Sequence, residues 1–295
     1  MMKNRFRWMA IFVAVLMALA LVSAPAMAEK KTLKFGVVAW SEALALGDLI
    51  EYLMEKEIGQ DVEIINPDAG VAYTAIKNKE LDLYLEAWLP LTHEAYWEKV
   101  ASSVCDFGPI YEDASLGWAV PNYVPKDVVN SVEDLGKDGV KEKFEGRIVG
   151  IDPGSGLMQH SALMMKEYPE LEGWKLVEGS DAAMVAELKR SIQRKEWIVV
   201  TLWRPHHAFG MFDIRYIDEP KGILGEEERS HMVGREDFMA IFPNKVSRFL
   251  TRFTMPIGVC DDLTYMYQVD ENTAAAKFVE KYPKLVDYWL NGISE

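Results

Sequence analysis

Three tryptophans stand where apolar, strand-like runs end. Trp40 closes Val37-Val-Ala-Trp40, Trp88 follows Leu81-Asp-Leu-Tyr-Leu-Glu-Ala87, and Trp203 closes Trp197-Ile-Val-Val-Thr-Leu-Trp203. A single tryptophan in a sheet is ordinarily core. Three at equivalent positions, each just past a strand, suit a different task. A trimethylated ammonium has no N–H to donate, so carboxylates cannot recognise it by hydrogen bonds. Indole faces offer it negative quadrupole density and apolar contact together, at about 0.5–2 kcal/mol for each ring.

A second group of residues suits an anion. Asp152-Pro-Gly-Ser-Gly-Leu157 is a glycine-containing turn that leads into a helix-like run. Free amides at a helix start bind anions, and Gly156 lets the backbone come close. Read alone, such a turn is an ordinary strand-to-helix connection. His93 follows Thr92 at another helix start and can donate a further hydrogen bond. Indoles for a methylated cation, and the free amides of that helix start with His93 for a carboxylate, would together suit a betaine.

The elements that must position these groups follow from periodicity. Thr32 to Trp40 reads as a strand, followed by a helix with Leu46, Leu49, Ile50 and Leu53 on one face, Ser41 as its N-cap and Gly59 as its stop. Asp61–Ile65 reads as a strand, Ala72–Lys79 as a short helix and Leu81–Ala87 as a third strand. The order β-α-β-α-β predicts a mainly parallel sheet covered by helices. It recurs with Arg147–Ile151 as strand, Met158–Glu167 and Ala182–Arg194 as helices, and Trp197–Trp203 as strand. Arg215–Ile217 is a further strand, and the end of the chain is helical around Ala274–Val279 and Leu285–Leu290.

Connections at 115–126 and 218–233, rich in proline and glycine, separate the two halves. Two crossings between two α/β lobes predict a bilobed chain with an interlobe cleft and a hinge. Lobe I would be 29–117 plus 225–295, and lobe II 118–224. Ligands of open α/β sheets bind beyond the carboxyl ends of the strands, which is where the three tryptophans, His93 and Gly156-Leu157 lie.

The first 28 residues read as a cleaved secretory signal. Lys3, Arg5 and Arg7 precede an apolar run from Met9 to Val22, and Ala26-Met27-Ala28 is a small-x-small cleavage site. Its only charges are those three, so cleavage makes the chain more negative than its net charge of −14. Such acidity argues against nucleic acid and anionic membranes. No later stretch approaches the ~18 apolar residues of a membrane span, so no direct membrane insertion is expected. Cys105 and Cys260 are the only two cysteines. An oxidising compartment permits a disulfide, and the sequence leaves their pairing open. Neither cysteine follows the signal, so no lipid anchor is expected. An unanchored secreted protein points to the periplasm.

Catalysis finds little support. Gly154-Ser-Gly156 is not the nucleophile elbow, because glycines directly flank the serine. The five histidines show no zinc spacing, and no phosphate or dinucleotide fingerprint occurs. No metal, cofactor or enzyme activity is expected.

Taken together, Val37–Glu42, Ala69–Ile76, Ala87–His93, Gly150–Met158, Ala182–Leu188 and Trp203–His206 resemble the glycine betaine/proline betaine substrate-binding proteins of osmoprotectant ABC importers. The resemblance spans nearly the whole chain after the signal. It implies a type II periplasmic-binding-protein fold that closes on its ligand. It implies an aromatic cage of Trp40, Trp88 and Trp203, and a carboxylate site of His93 and the Gly156 and Leu157 amides. It further implies a monomer that hands its ligand to an ABC permease. The family often has an uncharged residue after the third cage tryptophan and an aromatic one after Pro-His; Arg204 and His207 stand there instead. Either side chain, if turned to the cleft, would shift preference towards proline betaine, choline or a sulfonium analogue. Choline, carnitine or dimethylsulfoniopropionate binding, or a ligand-sensing receptor module, are the alternatives.

Overall fold

In the computed structural model, which describes residues 31–292, each half is built around a short parallel core. The signal sequence read at 1–28 lies outside the described residues. In the first half β1 (Leu33–Gly36) lies between β2 (Val62–Ile65) and β3 (Leu83–Leu89), parallel to both. The helices Ser41–Leu53 and Ala69–Lys77 make the crossovers. The first buries Ala43, Leu46, Leu49, Ile50 and Leu53, one stripe at helical spacing. Gly59, at φ +70°, terminates it after one π turn, as a left-handed glycine does at helix ends.

The second half repeats the plan. Strand β5 (Arg147–Val149) lies between β6 (Lys175–Val177) and β7 (Val199–Arg204), parallel to both, with helices Gly156–Glu167 and Asp181–Arg194 as crossovers. Ser155 and Ser180 cap these helices by accepting the amides of Met158 and Ala183.

The expected parallel order therefore holds within each half, but the middle is antiparallel. Residues 104–121 form β4 (Val104–Pro121), a strand of 18 residues, where the proline and glycine content of 115–126 suggested a loop. Its first part pairs with β9 (Glu228–Arg235), and its last part with β7 and β8 (Ile214–Ile217). Strand β9 also pairs with β3, giving the order β2-β1-β3-β9-β4-β7-β5-β6, with β8 beside β4. The register of β4 on β9 breaks at three places, each a bulge that bends the strand. One long, bent strand thus carries the chain from one half to the other.

One further expectation changes, and one open question is answered. Trp40, in extended conformation, occupies the N-cap position given to Ser41, whose amide instead donates to Asp181 at 2.8 Å. Cys105 and Cys260 are both free thiols, and Cys260 is buried. The last helices, among them Ile257–Val269 and Pro283–Asn291, cover the first half; Trp289 packs on Phe253 and Phe278.

Candidate functional site

The three tryptophans reach the site from three different elements. Trp40 ends the loop after β1, Trp88 lies near the end of β3, and Trp203 lies near the end of β7. Their rings line one cavity with Thr92, His93, Leu116, Ile151, Ser155, Gly156 and Leu157. The empty space between them, including its opening to solvent, is about 250 Å³. No charged side chain lines it. The Trp40 and Trp203 rings are 6.1 Å apart and inclined at 58°, and Trp88 meets Tyr111 edge-on at 6.2 Å.

Each indole N–H is turned to a carboxyl group. Trp40 Nε1 donates to Asp152 at 2.9 Å, and Trp88 Nε1 to Glu86 at 2.6 Å. Trp203 Nε1 faces Glu42 without reaching hydrogen-bond geometry. The Trp40 and Trp88 rings are thereby held in place from their edges.

Glu86 sits at a bulge in β3, with φ of +80°. A left-handed conformation costs a non-glycine residue about 1–3 kcal/mol, and such strain gathers at functional sites. Its Oε2 also accepts from Tyr111 at 2.7 Å. Burial pushes the Glu86 carboxyl up to about 7, against the pull of its Tyr111, Trp88 and Ser230 neighbours. Burial also raises Glu42 well above the usual carboxylate range, helped by the negative charge of Glu86 and Asp181.

Beside the indoles the cavity also presents hydrogen-bond donors. His93 is 1% exposed. The Trp88 amide donates to its Nδ1 at 3.1 Å, so the ring proton sits on Nε2. Burial, aided by His160, holds the His93 pKa down to about 3, and the ring is neutral. Its Nε2 has no hydrogen-bond partner among the described residues. Across from it, Gly156 and Leu157 are the first two residues of their helix, whose amides have no acceptor in their own helix. Both the turn and the helix start are tightly set. Glu228 accepts the amides of Leu91 and Thr92 at 2.6 and 2.9 Å, and the Thr92 hydroxyl as well. A Cβ on Gly156 would lie 2.3 Å from the Thr92 carbonyl oxygen, so only glycine fits this approach.

The wall is shared by the two halves, and hydrogen bonds join them around it. Besides Trp40 to Asp152, the Tyr96 hydroxyl donates to the Gly154 carbonyl at 2.9 Å and accepts from Gln159 at 2.7 Å.

Arg204 and His207 do not line the cavity. Successive strand residues point to opposite faces; Trp203 faces inward and Arg204 outward, where it pairs with Asp261 at 2.8 Å. His207 is stacked on His206 at 4.6 Å, and that ring bonds Asp181 at 2.9 Å. Both histidines therefore brace the Trp203 turn from outside.

Sequence reasoning passed over Glu42 and Glu86. Glu42 looks like a first-turn acid serving the helix dipole, and Glu86 like the solvent-facing member of an alternating strand. The one available signal was an acid inside the otherwise apolar Leu83–Leu89 run.

Residues 31–281 match the pattern of the OpuAC family, the substrate binding domain of the ABC-type glycine betaine transport system. The chain belongs to the OpuAC family. Among proteins similar to this OpuAC-family chain is the glycine betaine/carnitine transport binding protein GbuC of Listeria monocytogenes, 29% identical over 188 residues. That alignment covers 63% of this chain, which spans 59% of the length of GbuC. Lactococcal OpuAC, solved closed with glycine betaine, is 30% identical with a TM-score of 0.80, over 88% of this chain and all (100%) of that one. ProX of Borrelia burgdorferi, a glycine/betaine/L-proline-binding protein, is 29% identical with a TM-score of 0.80, over 88% and 97% of the two chains. The fold is thus the bilobed α/β periplasmic-binding-protein fold expected above. Among the described residues no helix is long and apolar enough to cross a membrane.

Proposed function

We propose that this OpuAC-family chain captures glycine betaine or a near relative in the periplasm and delivers it to an ABC permease. The supporting observation is the composition of one cavity wall: three indoles together with unsatisfied N–H donors, and no charged lining residue among the described residues. Trp40, Trp88 and Trp203 enclose the methylated head by cation–π and apolar contact. His93 Nε2–H and the amides of Gly156 and Leu157 hold the carboxylate. A primary ammonium would find no acceptor among these rings, which disfavours ordinary amino acids. Choline would leave the donors without their anion, which favours a betaine over an alcohol.

The two lobes of the reading, 29–117 plus 225–295 and 118–224, close on the ligand, with β4 and the 218–227 segment as hinges. Trp40, Trp88 and His93 come from the first, and Gly156, Leu157 and Trp203 from the second. A ligand touching both favours the closed form through contacts that only that form offers.

Isothermal titration with glycine betaine, proline betaine, choline, carnitine, dimethylsulfoniopropionate and glycine tests this. Betaines should bind at micromolar Kd or tighter, choline more weakly, and glycine not measurably. Equal affinity for glycine and glycine betaine would overturn the reading.

A further inference from the structure

Behind the indole wall lies a pair of acids that the binding scheme above does not use. Glu42 and Glu86 are both 0% exposed. Among the described residues, both oxygens of Glu42 and Oε1 of Glu86 have no hydrogen-bond partner. The ionisable groups whose charge acts on them come from several elements. Glu42 interacts electrostatically with Glu86 from β3, Asp181 from the Asp181–Arg194 helix, Tyr111 from β4 and Cys260 from the Ile257–Val269 helix. Glu86 is hydrogen-bonded by Trp88 on its own strand and Tyr111 from β4, has Ser230 of β9 as a neighbour, and interacts electrostatically with Tyr84, with Tyr73 from the Ala69–Lys77 helix and with the same Cys260. None of these is a cation. Asp181 is itself satisfied by His206 and the Ser41 amide.

Two buried carboxyls without a cation cannot both ionise at low cost. Yet each faces the N–H edge of a ring whose face lines the cavity: Glu86 that of Trp88 and Glu42 that of Trp203. A carboxylate at the N–H edge makes the ring face more negative, and its charge acts directly across a poorly screening interior.

We propose that Glu42 and Glu86 are the counter-charge of the site and determine its selectivity for a permanent cation. With the cavity free of cation the pair retains one proton. A methylated cation seated against the indoles takes over the proton's electrostatic role, and the proton leaves to the buffer. Binding and proton release are then reciprocal: the ligand favours the ionised pair, and the ionised pair favours the ligand. Affinity rises with pH and falls as acid protonates the pair.

This inference rests on the quaternary-ammonium reading, and the test separates the two. Glycine betaine is titrated calorimetrically at pH 5 to 8, in buffers of differing ionisation enthalpy, to count protons. The wild type should release a substantial fraction of one proton near neutrality. Its affinity should fall by up to about tenfold per pH unit on the acid side. Glu86→Gln and Glu42→Gln should each abolish most of that release and flatten the pH profile. His93 and His207, held down to about 3 and 4, lie below this window. Binding that is tight, exchanges no proton and is flat with pH overturns the inference and leaves the proposed function standing. Failure to bind any methylated cation at pH 8 overturns both. The proton count on the wild type decides the matter even if a variant fails to fold.

Discussion

The two ends of the cavity are built by different means. The cation end consists of large side chains from three separate elements, the Trp40 and Trp88 rings anchored at their edges by carboxyls. The anion end is mostly main chain: two amides at a helix start, and one histidine whose tautomer is set by a main-chain N–H. The first end works through polarizable surface, which tolerates variation in the ligand. The second works through positions, which tolerate little. Selectivity among betaines should therefore follow the shape between the indoles, and the requirement for a carboxylate should follow the backbone.

That difference predicts the sharpest loss at the anion end. Gly156→Ala places a methyl group 2.3 Å from the Thr92 carbonyl, a main-chain atom that cannot swing away. Overpacking of this kind costs about 1–3 kcal/mol, so betaine affinity should fall roughly ten- to a hundredfold by calorimetry. Unchanged affinity would show that the two halves need not meet at Thr92 when ligand is bound. Next comes Trp203→Ala, which removes one ring and leaves Glu42 without its N–H neighbour. A desolvated cation–π contact is worth about 2 kcal/mol, so a loss of more than tenfold is expected for every methylated cation alike. A loss confined to carboxylate-bearing ligands would contradict the division of labour.

The cation end was the more legible of the two in the sequence. Tryptophan at the end of three apolar runs is a strong signal, because residue type and strand periodicity agree. The turn at Asp152–Leu157 was legible through Gly154 and Gly156. What escaped were the elements that join the halves. Strand β4 carries Gly108, Pro109, Gly117 and Pro121, residues that ordinarily mark loops, and its bulges spoil any alternation. Strand β9 reads as polar because Arg229, His231 and Arg235 interrupt it. Both are placed by partners distant in sequence, which local patterns do not contain. The acids behind the rings escaped for the same reason. Their partners and neighbours include Tyr111, Ser230 and Cys260, far along the chain.

His93→Ala sharpens the comparison at smaller scale. It removes one donor to the carboxylate, a charged-group hydrogen bond worth about 1.5 kcal/mol or more. Glycine betaine should bind roughly tenfold more weakly, and choline within about threefold of wild type. Equal losses for the two ligands would mean that the ring serves the cation end as a wall, 6.0 Å from Trp40, and not as a donor.

The smallest effect is expected at Arg204, whose charge suggested a role in selectivity. Its guanidinium lies on the outer face of β7, half exposed, with Asp261 at 2.8 Å. Exposed ion pairs contribute about 0–1 kcal/mol, and no cavity wall depends on this one. Arg204→Ala should change betaine affinity less than threefold and leave the order of ligands intact. If the order of glycine betaine, proline betaine and choline changes instead, the Trp203 ring must depend on what its neighbour holds at the far side of the strand. Selectivity would then belong to the Arg204–Asp261 clasp between the halves as well as to the walls of the cavity.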